Sequence, residues 1–307
     1  MDELLQMAAI ARRHYIGGQT RLEIADELGL SRFKVARLLD AAVRAGVVKI
    51  QVQLPGSVDA DVSLRLRDRF EIDRAIVVTP QSDSSKGVRD AIGQATALFL
   101  EDTLTERDVL GVSSGRTIDA AASHLRRLPP CAVVQLSGMS GNLNENSVDV
   151  LRRISTVAGG EAQAFYAPLI LASSSAAEEL RQDPNISRAF SCFPKVTTAL
   201  VAIGSWSPPE SRLHDELTPA NRKALYQKGV CADIGGRVVN EAGKPIAILD
   251  DRILAISIEE LRAIPHVVAA AGGTRKIAAI RSVLRSGIVN TLITDDAVAQ
   301  ALLSEPK

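Results

Sequence analysis

What the chain lacks narrows it first. Its three cysteines, Cys131, Cys192 and Cys231, are odd in number and widely spaced, with no C-x-x-C pair. Neither a zinc site nor a disulfide framework is expected, and buried, inert thiols are. Aromatic residues make up only 3% of the 307 residues. An apolar fraction dominated by Ala, Val, Leu and Ile favours alternating α/β structure over a β-sandwich. No apolar run approaches the ~20 residues that cross a bilayer. The first residues lack the basic flank and long apolar run of a signal peptide, so a cytoplasmic, reduced protein away from membranes is expected. A G-x-x-x-x-G-K-[ST] loop is missing, which argues against ATP-driven chemistry. His14, His124, His214 and His266 keep no catalytic spacing with a carboxylate or cysteine. Basic and acidic residues balance at 36 each, so the whole chain is no general polyanion binder and any basic surface is local.

One stretch is basic. Thr20 to Ala45 (TRLEIADELGLSRFKVARLLDAAVRA) reads as two helices joined by a tight turn. Thr20 and Glu23 form a T-x-x-E capping box. Ile24, Ala25 and Leu28 make an apolar face, Gly29 ends the helix, and Ser31 caps the next. Val35, Leu38, Leu39 and Ala42 then repeat at i, i+3, i+4, i+7 and face inward. Phe33, Arg37, Asp40 and Arg44 lie opposite, with Arg32 and Lys34 near the start. A helix-turn-helix places the start of its second helix in the DNA major groove. There Arg pairs with guanine edges, and an outward Phe33 meets a thymine methyl. The predicted DNA contacts are Thr20, Ser31, Arg32, Phe33, Lys34, Arg37 and Lys49. An ordinary helix pair with a solvated basic face is the bland alternative.

Length allows about two domains. Asp2 to Tyr15 has helical periodicity through Leu4, Leu5, Ala8, Ile10 and Ala11, giving a three-helix module. Gly46 stops the second helix of the pair, and Val47 to Leu54 alternates like a short strand, a small wing. Pro55-Gly56-Ser57 marks the boundary, so domains of 1–55 and 56–307 are expected. Asp59 to Phe70 reads as a charged connecting helix. Beyond it, strand candidates at 75–79, 109–113, 132–136, 162–167, 198–203, 254–257, 267–271 and 291–294 alternate with helical patterns. Those helices cover 88–104, 117–125, 147–157, 219–227, 257–263, 274–286 and 296–303. Repeated β-α units with buried strands indicate a doubly wound, mostly parallel sheet. Residues 205–216 and 235–251 read as irregular insertions, the second a hairpin around Glu241-Ala242-Gly243.

Ligands of such sheets bind beyond the carboxyl ends of the strands. Gly111 to Thr117 (GVSSGRT) combines small residues, the hydroxyls of Ser113, Ser114 and Thr117, the charge of Arg116 and a helix N-terminus, all suited to an anion. Gly272-Gly273-Thr274-Arg275-Lys276 repeats the pattern, with Lys276 as a point charge. A third loop, Gln135 to Asn146, is rich in hydroxyls and amides suited to sugar hydroxyls. Asp233, Arg237, Asp250, Asp295 and Asp296 are further candidates. No metal site and no cofactor is expected.

These residues together resemble the SorC family of sugar-responsive bacterial transcription regulators. The resemblance rests on EIADELGLSRFKVARLLDAAVRAGVVKI near the start and, in the body, on GVSSGRT, VVQLSGMSGN, TALVAIG and GVCADIGGRVVNEAGKPI. It is most specific over ISIEELRAIPHVVAAAGGTRKIAAIRSVLRSGIVNTLITDDAVA. It implies an N-terminal winged helix-turn-helix fused to a Rossmann-like α/β effector domain related to sugar-phosphate isomerases. By matching motifs, Gly111, Ser113, Gly115, Arg116 and Thr117 would form one side of the pocket, with Ser114 among them where the family commonly has an aromatic. Gln135, Ser137 and Gly138 would lie beside the sugar, with Asp233, Gly272 and Lys276 opposite. The expected function is an effector-controlled DNA-binding regulator, not an enzyme, with an operator duplex, a sugar or sugar phosphate, and further copies of itself as partners. The rival is a sugar-phosphate isomerase or deaminase carrying a helix-turn-helix, for which Asp233 with Asp250 is the one acid/base candidate. A constitutive DNA binder with a vestigial pocket is the third reading.

Overall fold

Local capping organises the N-terminal helices. The computed structural model describes residues 2–49, 57–140 and 147–304, and the chain divides into two units, Met1–Gln53 and Leu54–Lys307. In the first unit α1 (Asp2–Ala11) runs into a wide turn at Arg12–Ile16, followed by α2 (Arg21–Leu28) and α3 (Arg32–Arg44). Thr20 caps α2 in a complete capping box with Glu23, and Gly29 ends it at φ 61°, a left-handed conformation that glycine adopts without strain. Ser31 accepts the Lys34 N–H at 3.1 Å to start α3. Met7, Ile10, Ala11, Ile24, Ala25, Val35, Leu38, Leu39 and Ala42 form the buried core. The periodicity of α1 is therefore shifted from expectation: Leu4 and Leu5 are exposed, as is Leu28. Burial follows the stripe at Met7, Ile10 and Ala11, which alone faces α2 and α3. Val47 and Val48 form a bend rather than a strand. The rest of the expected wing, 50–54, lies outside the described residues.

The second unit opens with α4 (Ala60–Phe70), capped by Asp59, whose Oδ1 accepts the Val62 N–H at 3.0 Å. The expected connecting helix lies here, packed on the first strand of the sheet. Then come β1 (Arg74–Val78), α5 (Ser85–Thr103), β2 (Val109–Val112), α6 (Arg116–His124), β3 (Ala132–Gln135), α7 (Ser147–Ala158) and β4 (Ala162–Gln163). They are followed by α8 (Ser174–Gln182), α9 (Pro184–Phe190), β5 (Thr198–Trp206), β6 (Pro209–Glu210), α10 (Arg212–Glu216) and α11 (Pro219–Gln227). The chain closes with β7 (Val230–Ile234), β8 (Arg237–Asn240), α12 (Ile258–Ala263), β9 (His266–Ala270), α13 (Ile277–Arg285), β10 (Thr291–Asp295) and α14 (Asp296–Ser304).

The main sheet runs β1-β10-β9-β5-β2-β3-β4, every pair parallel. Alternate residues of its strands feed two cores. Val77, Val134, Val201, Ala269 and Leu292 pack with α4, α9, α13 and α14 on one face. Val78, Val133, Leu200, Val268 and Ile293 pack with α5, α6 and α7 on the other. This is the doubly wound α/β arrangement that strands buried on both faces produce. β5 has a second role. Beyond Ala202 it pairs antiparallel with β7, and its last residues pair with β6, so a smaller lobe grows from its end. Gly235 and Gly236 turn β7 into β8 with φ of 58° and 88°, the paired positive angles of a tight hairpin.

Two expected strands are corrected. Over 162–167 only Ala162–Gln163 is a strand, because the chain then leaves the β3 edge and its Phe165 N–H turns to the Gln135 side chain. Residues 254–257 make single bridges instead of a ladder, their carbonyls being shared between Gly138 and the buried Arg237. Helices α8 and α9 were not expected. Their signals are the Ser173 cap and the Asp183-Pro184 start. The expected turn at Glu241-Ala242-Gly243 is present, closed by the Gly243 N–H on the Asn240 carbonyl.

Helices α5 and α6 approach most closely at Gly93, near the middle of each. A Cβ there would fall 2.8 Å from the Ala120 backbone. Gly93→Val is therefore expected to force the two helices apart and cost about 1–3 kcal/mol, as overpacking does. A lowered melting temperature in thermal denaturation checks it.

Candidate functional site

Three loops meet at the carboxyl ends of β2, β5 and β9, where the chain changes direction across the sheet. After β2, Ser113 donates its N–H to Leu200 and accepts the Ala202 N–H on Oγ at 3.2 Å. Gly115 follows at van der Waals limit: a Cβ would sit 2.4 Å from that of Ala202. Arg116 and Thr117 then begin α6. After β9, the Gly273 N–H donates to Asp295 Oδ2 at 2.6 Å, and a Cβ on Gly272 would fall 2.2 Å from the same oxygen. This pins the loop so that Lys276 points inward, its Nζ 2.6 Å from the Ile203 carbonyl. On β7, Asp233 lies opposite Gly204 of β5 and accepts the Trp206 Nε1–H at 2.9 Å. A cavity of about 140 Å³ lies between these groups.

Of the residues expected to hold an effector, Ser113, Ser114, Gly115, Arg116, Thr117, Ser137, Asp233, Gly272 and Lys276 line this cavity. Three do not, and each has a packing role instead. A Cβ on Gly111 would meet the Leu136 and Val196 side chains at 2.8–2.9 Å. Gln135 is buried, donating Nε2 to the Ser137 carbonyl at 2.8 Å. Gly138 donates its N–H to Leu254 and abuts the Pro168 carbonyl. The remainder of the third loop, 141–146, lies outside the described residues. Asp250 pairs with Arg237 at 3.1 Å rather than with Asp233, so the one acid/base candidate for catalysis is not assembled. Asp295 serves the β9 loop, and Asp296 accepts the N–H of Ala297.

Sequence reasoning missed the contributions of α5 and of the segment after β5. Asp83, Ser85, Val88 and Arg89 line the cavity from the start of α5, and Glu210, Ser211, Arg212 and Leu213 from the lobe. The rule that ligands gather at strand carboxyl ends applies equally to the loop after β1, which was the available signal for Arg89. Segment 205–216 carried none.

The electrostatics are uneven. Among the described residues, Arg89 and Arg116 make no hydrogen bond or ion pair, whereas Arg275 is paired with Glu210. Burial pushes the Asp233 carboxyl up and the Lys276 ammonium down, each opposed by the other's charge. The burial cost of Asp233 thus appears as pH rises from its unfolded to its folded pKa. That of Lys276 appears as pH falls from its unfolded to its folded pKa.

In the first unit, α3 presents Arg32, Phe33, Lys34 and Arg37 to solvent; Phe33 is 77% exposed, and the Arg32 guanidinium lies 5.9 Å from its ring centre. The hydroxyls of Thr20 and Ser31 are engaged as helix caps. Lys49 is exposed just after the bend. Among the described residues no cluster suits a metal ion, and no helix is long and apolar enough to cross a membrane.

Fold and site together define a doubly wound α/β domain with a cavity at the carboxyl ends of its strands, carried on a chain with a helix-turn-helix. Residues 56–304 match the Sugar-bind family model, described as "Putative sugar-binding domain", and the chain belongs to that family. Its relatives include transcriptional regulator YjhU of Escherichia coli (strain K12), 29% identical over 95% of this chain and 92% of that one. The erythritol catabolism regulatory protein EryD of Brucella abortus (strain 2308) is 28% identical over 99% and 98%. The crystal structure of the full-length sorbitol operon regulator SorC from Klebsiella pneumoniae superposes with a TM-score of 0.75 at 22% identity, covering 99% of this chain and all of that one. The chain is a SorC-like sugar-binding regulator, and these relatives give the enzyme alternative no support.

Asp233→Asn and Lys276→Met are each expected to lower the melting temperature by stranding a buried charge. The double variant should lose less than the sum, by about 0.5–3 kcal/mol in a double-mutant cycle read from denaturation curves.

Proposed function

We propose that the chain is a sequence-specific DNA-binding regulator whose operator affinity is set by a phosphorylated sugar or polyol. The observation that carries the phosphorylated form is the pair of unpartnered guanidinium groups, Arg89 and Arg116, in the same cavity as Lys276 and the Asp233 carboxylate. Guanidinium groups suit phosphate oxygens by geometry as well as charge. The α6 N-terminus and the Thr117 hydroxyl add donors to that corner. A carboxylate accepts hydrogen bonds from hydroxyls, so Asp233 serves the polyol end. The names of EryD and SorC, tied to erythritol and sorbitol, agree with a polyhydroxylated ligand.

The DNA contacts are Arg32, Phe33, Lys34 and Arg37 at the start of α3, with Lys49 on phosphate. Thr20 and Ser31 set the helix ends and present them to the backbone of the duplex. Copies of the chain associate so that paired recognition helices meet a pseudo-palindromic operator in successive major grooves. The effector binds one conformation of the sensor unit better than another and shifts the population. A coupling of about 1–3 kcal/mol changes DNA affinity some 5- to 150-fold. Such a protein works where the DNA is, in the cytoplasm.

A panel of sugar phosphates in a thermal-shift assay tests the effector assignment, since a ligand at a hundred times its Kd adds about 2.7 kcal/mol of stability. Replacing Arg89 and Arg116 together by Gln should abolish the shift from the phosphorylated hit and leave DNA binding intact. Arg37→Ala should weaken operator binding by about 1–3 kcal/mol if it reads a base edge, or lower the salt slope by about 1 if it holds a phosphate. Unchanged binding in a gel-shift titration at moderate salt overturns the role given to α3.

A further inference from the structure

Asp233 does not hold its own position in the cavity wall. It sits on β7 opposite Gly204, where any Cβ would fall 2.2 Å from its Oδ1. Its carboxylate is therefore pressed against bare backbone on one side. Two residues further along β5, the indole Nε1–H of Trp206 donates to the same Oδ1 at 2.9 Å. Trp206 is fully buried, with its ring edge-on to His214 at 5.2 Å and to Tyr226 at 5.7 Å between centroids. Tyr226 donates its hydroxyl to the Trp206 carbonyl at 2.7 Å, which fixes the backbone of the same residue. An ionised carboxylate offers about four lone-pair positions. The Trp206 indole takes one of them, and Asp233 itself lines the cavity.

We propose that Trp206 is the positioning residue of the binding site, aiming the Asp233 carboxylate at a hydroxyl of the bound ligand and so selecting ligands that carry one there. This rests on the sugar-phosphate reading above and adds to it a residue that lies outside the cavity wall. Two consequences follow from the geometry. A ligand lacking the hydroxyl leaves a buried carboxylate unsatisfied and is rejected. A ligand that donates to Asp233 withdraws electron density from the acceptor of the indole N–H, and Trp206 is the only tryptophan in the chain. Its emission therefore reports occupancy.

The test uses the full chain with erythritol 4-phosphate and sorbitol 6-phosphate as probes, and with erythritol and sorbitol as their uncharged counterparts. Binding is read from the melting temperature and, separately, from tryptophan emission. The expected result is that a probe that stabilises the chain also shifts the emission maximum or intensity. Trp206→Phe should weaken that probe by about tenfold, one charge-assisted hydrogen bond. Tyr226→Phe, which keeps the indole donor and removes only the bond to the Trp206 carbonyl, should weaken the probe less than Trp206→Phe does. A Trp206→Phe chain that melts earlier but binds the probe with undiminished affinity overturns the proposal. So does a stabilising probe at saturation that leaves the emission of the unsubstituted chain unmoved, a readout that needs no variant to fold. If none of the four probes stabilises the unsubstituted chain, the sugar-phosphate reading itself falls and takes the role of Trp206 with it.

Discussion

A single strand with two sets of neighbours holds the sensor unit together. β5 is paired in parallel with β9 up to Ala202 and with β2 up to Leu200; from Ile203 it pairs antiparallel with β7. Every buried backbone donor and acceptor needs a partner, so a strand that outlasts its parallel neighbours must recruit new ones. The lobe from β6 to β8 meets that requirement. It also places Asp233, a residue of the lobe, near Lys276, in the turn that follows β9 of the main sheet. The cavity is the gap left where one kind of pairing gives way to the other.

That placement leaves the cavity without an acid/base pair aimed at one point. Catalysis of isomerisation requires an acid and a base aimed at the same substrate atoms. Here Asp250 is drawn off by Arg237, whose guanidinium also holds the carbonyls of Ala255 and Ile256. Lys276 spends one donor on the Ile203 carbonyl and stands close to the charge of Asp233. What remains unpaired at the mouth, Arg89 and Arg116, is suited to hold charge and not to move protons, because a guanidinium keeps its proton throughout the ordinary pH range.

Glycines set the reach of the site. Gly115, Gly204 and Gly272 each stand where a Cβ would lie 2.2–2.4 Å from a neighbour. At Gly204 and Gly272 that neighbour is a carboxylate, of Asp233 and Asp295 respectively. In both cases the missing side chain makes room for an acid that organises a loop or faces a ligand. Backbone conformation is not the reason at these positions: none of the three lies in the left-handed region except by neighbourhood, at Gly273. Close approach is.

Much of this was legible in the chain itself. Thr20 with Glu23, Gly29 and Ser31 determine the helix-turn-helix ends, because a cap is a contact between residues three apart. Alternation of β and α periods determines the doubly wound class, because strands buried on both faces must be apolar throughout. The loops after β2 and β9 could be found for the same reason, each being a small-residue turn that opens a helix. The structure alone decided that Gly111, Gln135 and Gly138 pack instead of lining the cavity, and that Leu4 and Leu5 face solvent. It alone joined Trp206 to Asp233, residues 27 apart. Such pairings depend on strand register and on where the lobe folds back, and neither is encoded in any short spacing along the chain.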